Sequence, residues 1–241
     1  MSNPIDTLKT SIPKDLESFF SFAVSVDCVL FGFDGVNINV LLIYRGAEPY
    51  PNMWAVPGDL VRVDEDLDTA AKRILSELTG LDNVYLEQVQ TFGAVDRHPL
   101  GRVLTIAFFS LVDIDKYSPH ASSWAKEAEW HDLYNLPNLA FDHKDIVEAC
   151  LNRLRKRIRA RPIGFELLPE HFTLSELQTL YEGIMGQDFD KRNFRKKILS
   201  MGFLNDLNLQ QQGVAHRPAK LYSFDKNSYD KLVKNGFSFA I

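Results

Sequence analysis

Two hydrophobic periods alternate along the first 160 residues. Phe22–Phe31 (Phe-Ala-Val-Ser-Val-Asp-Cys-Val-Leu-Phe) is rich in β-branched and aromatic residues and predicts a strand. Asp34-Gly35 is a hairpin signal, and Asn37–Tyr44 predicts the returning strand. Arg45 follows, then a loop over Gly46–Asn52 with two prolines. After Trp54–Gly58 the period lengthens. Ala70, Ile74, Leu78 and Leu81, with Ala71 and Leu75 beside them, put one apolar face on a helix that Gly80 stops. Val84–Ala94 and Arg102–Val112 predict two further strands. The second is nearly continuous in apolar character, as a strand covered on both faces should be. Glu129-Trp130-His131 begins a last short strand or turn, and a helix is predicted over Lys144–Arg161. A short helix at Pro13–Phe20 precedes all of this. Strands interleaved with helices in this order predict an α/β domain with a mixed sheet.

After Pro169 the pattern changes to short helices. Thr173 is a plausible N-cap with Glu176 as its capping-box partner, and Leu174, Leu177, Leu180, Tyr181 and Ile184 give the apolar face of a helix that Gly186 ends. Asp188 or Asp190 caps a second helix over Lys191–Met201, with Phe194, Ile198 and Met201 as its buried stripe and Gly202 beyond it. Lys191, Arg192, Arg195 and Lys196 fall mostly on the other side. A capped helix, a turn and a basic second helix form a helix-turn-helix. A polar loop through Gln210-Gln211-Gln212-Gly213 leads to Arg217, Lys220 and the short strand Leu221–Phe224, which together predict the wing of a winged helix with Arg217 and Lys220 at its tip. The alternative is a helical hairpin used for dimerisation.

Charge sharpens this division. Residues 151–241 carry 16 Lys and Arg against 9 Asp and Glu, a net +7 on a remainder of −12. A basic third attached to an acidic body suits a polyanionic partner, and the segment Arg153–Pro162 marks a junction. The expected domains are therefore residues 1–161 and 162–241. Duplex DNA is the expected partner of the second. Lys191, Arg192, Arg195 and Lys196 would divide between phosphates and base edges, Asn193 could pair bidentately with adenine, and Arg217 and Lys220 would reach flanking backbone or minor groove. No apolar run reaches the roughly 18 residues of a membrane helix, and the polar N-terminal stretch is no signal peptide. Cys28 and Cys150, far apart in apolar surroundings, predict reduced core thiols of a cytoplasmic protein.

The stretch from Pro57 to Leu81 resembles the Nudix box, G-x5-E-x7-R-E-U-x-E-E-x-G-U, where U is apolar. Glu65, Arg73, Glu77 and Gly80 fix the register. Asp59 stands at the opening Gly, Ile74 at the Glu after the Arg, and Leu78 at the second Glu of the pair. The resemblance implies a Nudix-type α/β/α sandwich. In active Nudix hydrolases the helix carboxylates hold Mg²⁺ or Mn²⁺ on a pyrophosphate. Ile74 and Leu78 supply no oxygen ligand, which leaves Glu65 and Glu77 as weak metal candidates. No catalytic residue and no cofactor are expected.

A broken Nudix box followed by a basic winged helix resembles the Nudix-related transcriptional regulators. Ala140–His143, Phe172–Gln178, Asn193–Lys196 and Arg217–Tyr222 carry that resemblance. It implies a first domain that senses a metabolite and a second that binds operator DNA as a homodimer. One branch of the family senses ADP-ribose and another senses pentoses such as arabinose. Glu77–Tyr85 and Pro162–Phe165 look more like the sugar branch. The rival reading is a hydrolase of ADP-ribose or a nucleotide sugar with an appended domain. Expected effector contacts are Arg45, Trp54, Asp96, Arg97, His98, Asp142 and His143, which offer planar donors, acceptors and an aromatic wall. Each has a plain alternative: ion pairs for the arginines, core for Trp54, a helix cap for His143.

Overall fold

The computed structural model describes residues 22–114, 117–213, 217–237 and 239; the helix expected at 13–20 lies outside them. Strands β1 (Ala23–Phe33) and β2 (Ile38–Arg45) form the expected hairpin, antiparallel with Phe31 opposite Val40 and Phe33 opposite Ile38. The Asp34 side chain closes the turn by accepting from the backbone N–H groups of Val36 (2.9 Å) and Asn37 (2.6 Å), and Gly35 takes the positive φ that such a turn needs.

The two strands pair only near this turn and then splay. Into the gap come β3 (Trp54–Ala55), antiparallel to the end of β2, and β4 (Gly58–Leu60), antiparallel to the start of β1. On the far side of β2 lies β7 (Ala125–Asp132). On the far side of β1 lies β6 (Val103–Asp113), parallel to it over its whole length and itself paired antiparallel with β5 (Glu87–Phe92). These seven strands make one mixed sheet. Where a last strand was expected only to begin, at Glu129–His131, β7 is already ending. Its first half, Ala125-Lys126-Glu127-Ala128, has two exposed charged residues between alanines and no large apolar side chain, so periodicity did not reveal it.

Helices cover both faces. On one side α1 (Leu67–Thr79) buries Ala70, Ala71, Ile74, Leu75 and Leu78 against Cys28, Leu30, Leu41 and Ile43. Asp66 caps its start by accepting from the Thr69 N–H at 2.7 Å, and Gly80 ends it at φ 69°. On the other side α2 (His143–Ala160) buries Ile146, Val147, Cys150, Leu154 and Ile158. This is the α/β/α sandwich.

A 3₁₀ turn (Ile163–Leu167) then leads into α3 (Leu174–Met185) and α4 (Lys191–Ser200), the strands β8 (Leu204–Gln210) and β9 (Lys220–Phe224), and α5 (Lys226–Lys234). The capping box on α3 forms as expected, with Glu176 N–H donating to Thr173 Oγ1 (3.1 Å) and Thr173 N–H donating to Glu176 Oε2 (2.7 Å). β8 occupies what was expected to be a polar loop. It is exposed on nearly every residue, and pairing with β9 rather than burial defines it. The winged helix sits on the sandwich through one continuous apolar cluster. It runs from Phe31, Ile38 and Phe109 in the sheet, through Leu154 and Ile158 of α2, to Tyr181, Phe194 and Phe203. Polar contacts back it: Arg155 Nε donates to the Ile184 carbonyl (2.8 Å) and the Tyr134 hydroxyl to the Gly183 carbonyl (2.5 Å), satisfying carbonyls in the last turn of α3. Among the described residues, no helix is long and apolar enough to cross a membrane.

Candidate effector cleft and DNA-reading surface

Where β1 and β2 splay, a cavity of about 240 Å³ opens. Its floor is a buried polar cluster. Asp27, on β1, is 4% exposed, and Gly58 of β4 lies so close above it that a Cβ there would sit 1.8 Å from Asp27 Oδ1. Arg97, from the β5–β6 connection, donates from Nε and Nη2 to the Asp142 carboxylate (2.8 and 2.6 Å) and from Nη1 to Thr105 Oγ1 (2.7 Å). Its Nη2 also stands 3.7 Å from Asp27 Oδ2. Thr105 in turn hydrogen-bonds Ser25. His143 accepts from the Val56 N–H through Nδ1 (3.1 Å), so its neutral ring carries the proton on Nε2, which faces Asp27 Oδ1 at 3.8 Å.

Burial dominates the charges here. It raises the Asp27 carboxyl to about 7, against the pull of Arg97 and Thr105. It lowers His143 to about 3, opposed by Asp142. Both directions disfavour the charged form, as loss of water requires.

The cleft wall is aromatic. Arg45 lies between two rings, its Cζ 4.7 Å from the centroid of Trp124 and 5.0 Å from that of Phe141. Its guanidinium is anchored by Nε to the Pro49 carbonyl at 3.0 Å. His98 stacks on Phe141, ring centroids 5.2 Å apart and planes within 12° of parallel. Trp124 Nε1 donates to Asp59 Oδ2 at 3.3 Å. The residue that replaces the box's opening glycine therefore holds an aromatic wall in place.

Of the expected effector contacts, Arg45, Arg97, His98 and His143 line the cleft together. Asp142 stands behind Arg97 and does not line the cleft. Trp54 and Asp96 lie elsewhere. Trp54 packs away from the cleft, against its cross-strand partner Tyr44 (5.1 Å) and against His131 of β7 (4.3 Å). Asp96 is exposed on the connecting loop. Sequence reading missed Asp27, Thr105, Trp124 and Phe141. A lone Asp in an apolar strand was the one available signal among them.

The box helix is arranged differently. Arg73 grips Glu65 with Nη2–Oε1 at 2.6 Å and Nε–Oε2 at 2.8 Å, and reaches Glu77 at 3.1 Å. Arg62 also holds Glu77, at 2.9 Å. Arg73's hydrogen bonds pull Glu65 down to about 2. Ile74 and Leu78 are fully buried. The residues present do not fit the divalent ion of a Nudix hydrolase: two ligand positions are apolar and the remaining carboxylates are engaged by guanidinium groups.

In the winged helix, Lys191, Arg192, Asn193, Lys196 and Lys197 are exposed on α4, while Phe194 and Ile198 are buried. Arg195 is half-buried, with Nη2 donating to Ser175 Oγ of α3 at 2.9 Å, so it braces the two helices. Lys220 is not at the wing tip. It opens β9 and pairs across the hairpin with Asp206 at 2.7 Å. Arg217 stands exposed in the β8–β9 connection.

Residues 21–150 match the NUDIX domain family and residues 164–224 match the NrtR DNA-binding winged helix domain. The chain is 35% identical over 211 residues to the ADPR responsive transcriptional repressor NtrR of Acinetobacter baylyi, covering 86% of this chain and 84% of that protein. The crystal structure of Shewanella oneidensis NrtR with a 27mer DNA superposes with a TM-score of 0.67 at 28% identity, covering 90% of this chain and 97% of that one. The NUDIX domain of the same protein complexed with ADP ribose superposes at 0.55 and 27%, covering 64% and 99%. An ADP-ribose pyrophosphatase of Methanocaldococcus jannaschii is 36% identical over 126 residues, 52% of this chain and 71% of that enzyme.

Proposed function

The chain belongs to the NrtR family of Nudix-related transcriptional regulators, and from that premise we propose that it is an operator-binding protein whose affinity for DNA is set by ADP-ribose. Residues 1–161 would sense and residues 162–241 would bind DNA. One observation carries the reading. The Nudix cleft keeps a charged and aromatic lining, yet Ile74 and Leu78 fill two metal-ligand positions and arginines hold Glu65 and Glu77. Such a cleft binds without cleaving.

ADP-ribose is favoured over a pentose because two of the relatives, matching 86% and 64% of the chain, are described with it. Its phosphates need cations, and Arg45 stands in the cleft against Trp124 and Phe141, with Arg97 held behind it by Asp142 and Thr105. The DNA surface would use Lys191, Arg192, Asn193, Lys196 and Arg217, with Lys220 held back by Asp206. A chain with one recognition helix reads a palindrome as a two-fold homodimer, so light scattering should give twice the chain mass on an operator fragment.

The test is a gel-shift on a duplex selected by the full chain, titrated separately with ADP-ribose and with arabinose. ADP-ribose should change the affinity and arabinose should not. An arabinose response alone would move the chain to sugar sensing. Hydrolysis of ADP-ribose at roughly 1 s⁻¹ or faster, abolished by Glu77→Gln, would favour the enzyme reading.

A further inference from the structure

One apolar side chain on α4 is left out of the core. Leu199 is 46% exposed, whereas Phe194 and Ile198 of the same helix are 6% and 0% exposed. At about 100° per residue, Phe194, Ile198 and Met201 cluster around one direction of the helix. Arg192, Lys196 and Leu199 cluster around the opposite direction, within about 60° of one another. Leu199 therefore lies on the outermost stripe, in line with two exposed cations. Asn193 falls about a quarter-turn to the side, and Arg195 is drawn off towards Ser175. No acidic residue occurs in Lys191–Ser200. A surface of this composition complements a polyanion, not an apolar protein patch.

We infer that the Arg192–Lys196–Leu199 stripe faces the major groove and that Leu199 reads a thymine through its C5-methyl group. This rests on the DNA-binding reading and adds to it a base and an atom. The major groove is where the four base pairs are distinguishable, and the thymine methyl is the one apolar feature exposed there. In line with cations that position the helix on phosphates or guanines, an exposed leucine adds a contact that only an A·T pair in one orientation satisfies.

The test uses the full chain and a duplex that it selects from a random pool. Each thymine of a half-site is replaced in turn by deoxyuridine, which removes only the methyl group. One replacement should weaken the unaltered protein roughly 3- to 10-fold, the scale of one buried methyl contact. Leu199→Ala should weaken binding to the thymine duplex by a similar factor and bind the uracil duplex equally well, so that the two losses do not add. Since Leu199 is exposed, the thermal midpoint of Leu199→Ala should match that of the unaltered chain, and the deoxyuridine arm needs no variant. The inference is overturned if no thymine is sensitive, or if Leu199→Ala keeps the full sensitivity. If the unaltered chain selects no duplex at all, both the DNA-binding reading and this inference fall.

Discussion

Arg97 meets Asp142 through two parallel hydrogen bonds, of 2.8 and 2.6 Å, and so ties the β5–β6 connection to the residue that opens α2. The Arg97 side chain is only 3% exposed and the Asp142 side chain 19%. The pair thus links the cleft floor to the helix on which the winged helix is packed. Removing one partner leaves the other charge buried and uncompensated. Arg97→Ala should cost about 3–5 kcal/mol in urea unfolding, and Arg97→Lys, which keeps the charge but loses the fork, should fall between. A loss below about 1 kcal/mol, the level of an exposed pair, would show that the site relaxes around the deletion.

Asp27 and His143 give opposite pH dependences. Asp27 titrates at about 7 in the folded chain against an ordinary 3.8, so its contribution is present below 3.8 and is lost as pH rises towards 7. His143 titrates at about 3 against an ordinary 6.5, so its contribution is present above 6.5 and is lost as pH falls towards 3. Between about pH 4 and 6.5 the two slopes oppose each other. Asp27→Asn should remove the falling component, so its stability should rise with pH across that window more steeply than that of the unaltered chain. Denaturant midpoints at four pH values measure this, and parallel profiles for the two proteins would refute it.

The arginine grip on the box carboxylates predicts indifference to metal. Mg²⁺ at about 5 mM should shift the thermal midpoint by less than about 1 °C, because a ligand that does not bind the native state adds no linkage energy. Calorimetry should show no Mg²⁺ binding, and a saturable heat abolished by Glu77→Gln would contradict the prediction.

Thr173 closes the capping box of α3 while only 2% exposed. Thr173→Ala should lower stability by about 1 kcal/mol, within the 0.5–2 range for lost caps. Hydrogen exchange should quicken first at the N–H groups of Ser175–Leu177, whereas uniform quickening across the chain would show that the cap serves global folding only.

Much of the fold was legible from local rules. The Asp34-Gly35 turn, the α1 stripe ended by Gly80, the Thr173–Glu176 box and the basic face of α4 each depend on residues a few positions apart, whose spacing fixes backbone geometry. The ends of α2 and α4 came within a residue for the same reason, whereas α5 was not anticipated. Most of β7 and all of β8 were not legible. Exposed polar strands owe their conformation to a partner strand distant in sequence, and periodicity records burial, not pairing. The cleft divides along the same line. Arg45, Arg97, His98 and His143 were marked by residue type, and the fold gathers them. Only the pairing of β3 with β2 decided that Trp54 packs on Tyr44 and His131 instead of the cleft, and only the path of the chain before β7 brought Trp124 in as the aromatic wall. Asp27 reads as an interruption in an apolar strand until Gly58, Arg97 and His143, drawn from three separate elements, surround it. Sequence set which groups were available; tertiary structure set which of them lost their water, and that loss moves the Asp27 and His143 titrations away from their ordinary values.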